Sequence, residues 1–106
     1  MSDLKLLEKA KQFITEYCWN EFGADSEPDF SDLHHIPVAY TELGADNDVP
    51  VNVELDLIDC KIYYYVDSEL VDTESYRDLK SMISDVLEVM EFDMLISPLY
   101  DYVEDY

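Results

Sequence analysis

The stretch from Val51 to Thr73 constrains this chain more than any other. Val51, Val53, Leu55 and Leu57 alternate with Asn52, Glu54 and Asp56, the period-2 pattern of a strand with one buried face and one wet face. Ile62, Tyr64 and Val66 alternate in the next run, and Asp59-Cys60 reads as a tight turn between the two. A two-residue closure would set Leu57 opposite Ile62, Leu55 opposite Tyr64 and Val53 opposite Val66 on the buried face. Asp56 beside Tyr63 and Glu54 beside Tyr65 would then face outward. A second turn at Asp67-Ser68 returns the chain through Leu70, Val71 and Thr73, so the segment is expected to form an antiparallel meander.

Helical patterns flank this sheet. Leu4, Leu7, Ala10, Phe13, Ile14, Tyr17, Cys18 and Phe22 recur at three- and four-residue steps, which predicts a helix over residues 2–22, capped by Ser2 and ended by Gly23. Residues 24–36 read as an acidic connector held down by Phe30 and Leu33. Residues 37–43 form a credible first strand with Pro37 at its start, where a missing N–H is tolerated. The further strands are expected at 51–58, 61–66 and 69–73. Ser75 with Asp78 three residues on resembles a capping box, and Leu79, Met82, Ile83, Val86, Leu87 and Met90 predict a second helix over 76–91. Pro98 should break any later helix, leaving residues 97–106 as an acidic, tyrosine-rich tail. The expected fold is therefore a two-layer α+β domain, α-β-β-β-β-α, with three to four antiparallel strands and both helices on one sheet face.

A chain of 106 residues is expected to be a single domain. Its apolar content of 48% and nine tyrosines set it apart from disordered acidic tails, which lack the apolar area to offset chain entropy. No apolar run approaches the roughly 18 residues of a membrane span, and the N-terminus lacks the basic-then-apolar layout of a signal peptide. A cytoplasmic location in a bacterial host cell is the expectation, with Cys18 and Cys60 reduced.

Charge narrows the function. The chain holds 26 acidic residues against 6 Lys and Arg, a net charge of −20. Residues 1–20 are neutral, because Asp3, Glu8 and Glu16 balance Lys5, Lys9 and Lys11, so the whole excess lies beyond them. Repulsion on that scale opposes a compact state and implies a basic partner or adaptation to salt. The element order loosely follows double-stranded RNA-binding domains, but those meet phosphates with Lys and Arg, and this surface would repel nucleic acid.

Motifs for catalysis are missing. No Ser-centred elbow, Gly-rich phosphate loop or HExxH sequence occurs, and carboxylates are too abundant for any pair to signal acid–base chemistry. The chain is expected to be no enzyme and to use no cofactor. Residues 44–50 carry an acidic cluster but neither the sixth-position Gly nor the twelfth-position Glu of a calcium loop. His34 and His35 are adjacent, point apart in an extended segment and have no third ligand at a useful spacing, so no metal site is expected.

Residues 36–96 carry a resemblance. Ile36-Pro37-Val38-Ala39-Tyr40-Thr41, then an alternating acidic strand, then Tyr64-Tyr65-Val66-Asp67-Ser68-Glu69-Leu70-Val71 and a final acidic helix look like the large polyvalent protein-associated domains of Firmicutes mobile elements. That resemblance implies carriage by a phage or conjugative element and brings no catalytic motif. In size and charge the chain is also similar to anti-CRISPR proteins that imitate DNA. Carboxylates on alternate residues of a strand stand roughly 6.6 to 6.8 Å apart, with neighbouring strands about 4.8 Å away, a regular negative array. The expected function is thus inhibition by DNA mimicry, with a guide-loaded type II CRISPR nuclease as partner, blocked where it reads the duplex motif beside its target. Glu54, Asp56, Asp67, Glu69, Asp72 and Glu74 would supply the phosphate-like surface, with Tyr63 and Tyr65 beside them, on a monomer. A non-inhibitory accessory module of a conjugative element, an inhibitor of another DNA-binding protein such as a restriction enzyme or repressor, and a surface serving solubility alone are the alternatives.

Overall fold

The structure is a computed structural model describing residues 3–23 and 27–104. Helix α1 spans Asp3–Phe22. Strands β1 (Ile36–Leu43), β2 (Val49–Asp56), β3 (Lys61–Val66) and β4 (Glu69–Ser75) follow, then the short helices α2 (Leu79–Asp85), α3 (Phe92–Ile96) and α4 (Tyr100–Val103). The strands form one antiparallel sheet in the order β1-β2-β3-β4, the meander that the alternation predicts. This is the expected α+β architecture, with helices packed on one face of an open sheet.

Helix α1 buries the middle of the stripe read from its periodicity, while Leu4 and Phe22 at its ends are exposed. Ala10, Ile14, Tyr17 and Cys18 are in the core, Leu7 and Phe13 are half-buried, and Gly23 ends the helix with φ +102°. The Ser2 cap lies outside the described residues. Tyr17 donates from its hydroxyl to the Val38 carbonyl at 2.8 Å, which pins the helix to β1 and satisfies a buried phenol. Phe30 and Leu33 do anchor the connector against the core.

The β2–β3 register differs from the sequence expectation by two residues. Leu55 pairs with Ile62, Val53 with Tyr64 and Val51 with Val66, while Glu54 faces Tyr63 and Asn52 faces Tyr65. The cause is local. The Asp56 Oδ1 accepts the N–H groups of Ile58 (2.9 Å) and Asp59 (2.8 Å), and Cys60 takes a left-handed φ of +57°, so four residues, Leu57 to Cys60, make the loop. A slip of two preserves which side chains are buried, whereas a slip of one would have inverted the sheet. At the next turn Asp67 and Ser68 both have positive φ (51° and 68°), the two-residue type I′ geometry that matches strand twist.

The C-terminal third departs further from the sequence reading. Asp78 itself is the N-cap of α2, accepting from the Ser81 N–H at 2.8 Å, and Ser75 belongs to β4. The helix expected over 76–91 stops at Asp85, and Val86 (φ −126°, ψ −61°) turns the chain into a single 3-10 turn, Leu87–Val89. Asp85, Glu88 and Glu91 stand three residues apart with like charge at a helix C-terminus, where both mutual repulsion and the dipole disfavour them. Pro98 does not break the chain into a tail. It sits in the first turn of a 3-10 segment, Ser97–Leu99, where its missing N–H costs nothing, and that turn leads into α4. Leu95, Leu99 and Val103 are all buried at four-residue steps. Among the described residues, no helix is long and apolar enough to cross a membrane.

Candidate functional site

The expected acidic array resolves into three environments. The open face of the sheet carries one row of Tyr40, Asn52, Tyr65 and Leu70 and a second of Pro37, Glu54, Tyr63 and Thr73, read across the four strands from their register. Tyr40 and Leu70 are exposed, at 58% and 53%. This face is more aromatic and less acidic than the sequence suggests. Among the expected acids Glu54 lies on it half-buried, with its Oε1 3.1 Å from the Nδ1 of His35. The His35 ring in turn lies 5.7 Å from that of Tyr63, tilted by 32°.

The second environment is the free edge of the sheet. Pairing of Tyr63 with Thr73 puts Asp72 and Glu74 on the side opposite Glu54, opposite Tyr64 and Ile62, and a bulge follows before Tyr65 pairs with Leu70. Glu69 pairs with Val66 and so also projects to the helix side, and Asp67 occupies the preceding turn. On this edge strand Glu69 and Glu74 are exposed and Asp72 is half-buried. The Tyr76 hydroxyl donates to Glu74 at 2.9 Å, and burial and this carboxylate push that phenol up to about 12. Asp72 lies beside Tyr102, whose phenol is raised by desolvation and by that carboxylate. Asp67, Glu69, Asp72 and Glu74 thus make an acidic rim along the edge strand and the turn before it, with Tyr76 and Tyr102 next to it.

The third environment is Asp56, which does not belong to a binding surface. It is fully buried, the one charged residue in the core among those described. Its Oδ1 takes the two loop N–H groups, and its Oδ2 accepts from the Tyr63 hydroxyl at 2.6 Å and contacts the His34 Nδ1 at 3.1 Å. Burial alone would raise the carboxyl pKa, but the bonds from Asp59, Tyr63, His34 and Ile58 outweigh it and hold Asp56 below the ordinary aspartate value. Tyr63 responds in the opposite sense, pushed up to about 12 first by its bond to Asp56. Sequence reasoning treated Asp56 as an outward carboxylate because it alternates with Leu55 and Leu57. Its position immediately before a turn was the available signal, since Asp there caps loop N–H groups.

The His34–Asp56 pair defines a pH window. The lowered Asp56 pKa means that its contribution is present above the unfolded value of about 3.9 and is lost as pH falls through the folded value. The His34 pKa is raised, first by the Asp56 bond, so its contribution is full below about 6.5 and is lost as pH rises through the folded value. Both conditions hold between about pH 4 and 6.5. The stability difference between the chelator-treated protein and its His34→Asn variant is expected to be largest there and to fade as pH rises through the folded His34 value. Urea unfolding at several pH values measures it, and a difference independent of pH would contradict the pair.

Cys18 and Cys60 are both buried free thiols raised by desolvation, and the carboxylates of Asp56, Asp78 and Asp59 raise Cys60 further, the opposite of activation. No known protein family, curated protein or solved structure matches this chain.

Proposed function

We propose that this chain is an acidic mimic of DNA that occupies a basic duplex-binding groove, in its most specific form the groove with which a guide-loaded type II CRISPR nuclease reads the motif beside its target. The observation that carries this reading is that the fold makes little internal use of its charge. Among the described residues, the contacts between acids and bases are those of His34 with Asp56 and Asp59, His35 with Glu54, and Arg77 with Asp78. Most of the other described acids are exposed, and a chain with a net charge of −20 favours binding to a basic surface.

The rim of Asp67, Glu69, Asp72 and Glu74 is the part best suited to that contact. Alternate strand residues space Asp72 and Glu74 regularly along the edge strand of the sheet. Carboxylates there accept paired bonds from arginine, and Tyr76 and Tyr102 offer apolar area with a polar tip. Glu54, Tyr63 and Tyr65 flank the contact from the other sheet face, and the buried Asp56 takes no part in it. Binding to a nuclease through arginines that otherwise read DNA would prevent every later step of target recognition.

Salt is the simplest test. Labelled protein titrated with guide-loaded nuclease is expected to bind at low salt and to weaken about tenfold or more on raising salt from 50 to about 200 mM, because exposed charge pairs are screened. Affinity that is absent at low salt, or indifferent to salt, would overturn the reading.

A further inference from the structure

We propose that His34, Asp56 and Asp59 form a zinc site that clasps the connector before β1 to the β2–β3 loop. The His34 Nδ1 lies 3.1 Å from the Asp56 Oδ2 and 3.7 Å from the Asp59 Oδ2, and one ligand atom from each of the three residues lies within 4.8 Å of the others. A tetrahedral zinc ion with ligands at about 2.0 to 2.1 Å has ligand-to-ligand edges of about 3.3 Å. The spacing therefore suits an ion inserted between the imidazole and the carboxylates, with small side-chain adjustments.

The donors are also held in place. The Asp56 Oδ1 is fixed by the Ile58 and Asp59 N–H groups, and the Tyr63 hydroxyl occupies one lone pair of the Oδ2, leaving the other for a metal in exchange for the His34 hydrogen bond. Tyr63 would then orient a ligand carboxylate from the outer shell. On the other side, the His34 N–H donates to the Asp32 Oδ1 at 2.9 Å, and the Leu57 N–H donates to the Leu33 carbonyl at 2.9 Å. These bonds tie the histidine's segment to the loop carrying both aspartates. One imidazole with two carboxylates favours zinc over calcium, which takes six to eight oxygens, or magnesium, which demands an octahedron. His34 and Asp59 remain partly exposed, at 47% and 57% of their side chains, so the site opens to solvent and a water can complete the tetrahedron.

Calorimetric titration of untagged, chelator-stripped protein with zinc chloride tests this, in moderate salt with excess magnesium to occupy unspecific carboxylates. One saturable zinc per chain is expected, weakened about tenfold or more by His34→Ala and by Asp59→Asn, and about tenfold by Tyr63→Phe. Asp56 is left intact in these variants because its loss threatens the fold, and circular dichroism verifies that each variant is folded. No saturable zinc heat, or unchanged zinc affinity in folded His34→Ala and Asp59→Asn proteins, would overturn the proposal and mark any binding as that of a generally acidic surface.

Discussion

An Asp56→Ala protein is expected to lose about 3 kcal/mol of stability, a large share of what a small domain has. The size of the effect follows from what is left behind. Alanine removes the acceptor for the Ile58 and Asp59 N–H groups, for the Tyr63 hydroxyl and for His34, in a place with no exposure to water. Asp56→Asn should cost only about 1 kcal/mol, because its amide oxygen still accepts the loop N–H groups while the charge is gone. Urea unfolding of the two variants separates loop capping from charge pairing. A loss below about 1 kcal/mol for alanine would mean that the loop is held by something other than this carboxylate.

Reversing charge on the rim is expected to have the largest effect on binding. Glu69→Lys, Asp72→Lys and Glu74→Lys together replace three attractions by three repulsions. At roughly 1 kcal/mol per exposed pair, loss of the attractions alone weakens affinity for a basic groove by about 100-fold or more. The same change at Glu42 and Glu54, on the open face, should cost about tenfold or less, since Glu54 is already engaged with His35. The cost in stability should be small, confined to the Tyr76 bond to Glu74 and the Tyr102 contact with Asp72, because these acids repel one another and lie outside the core. The opposite ranking would move the contact to the aromatic face of Tyr40, Tyr63 and Tyr65.

Much of the architecture was legible because burial periodicity survives errors of register. The β2 and β3 alternation correctly identifies Val51, Val53, Leu55, Ile62, Tyr64 and Val66 as core even though their pairing is displaced by two residues. The division of the acids was less accessible. Which face takes Asp72 and Glu74 depends on the β3–β4 register and on a bulge after Tyr64, and β4 has an exposed, weakly alternating pattern that leaves register open. The fate of Asp56 rests on His34, distant in sequence and brought beside it by the connector. For the C-terminal segment the signal was present, in the four-residue spacing of Leu95, Leu99 and Val103. Pro98 obscured it, because proline ends a helix in its interior and is accepted in its first turn.

The reading as a DNA mimic is tested most directly by competition for a duplex. A guide-loaded type II nuclease is equilibrated with labelled target DNA, and this protein is added in increasing amounts at low and moderate salt. Mimicry predicts that the duplex is displaced in proportion to added protein, that salt reverses the displacement, and that the rim reversal abolishes it. Retention of the duplex at protein concentrations well above that of the nuclease would contradict mimicry of this target's DNA and favour an acidic accessory module that binds elsewhere.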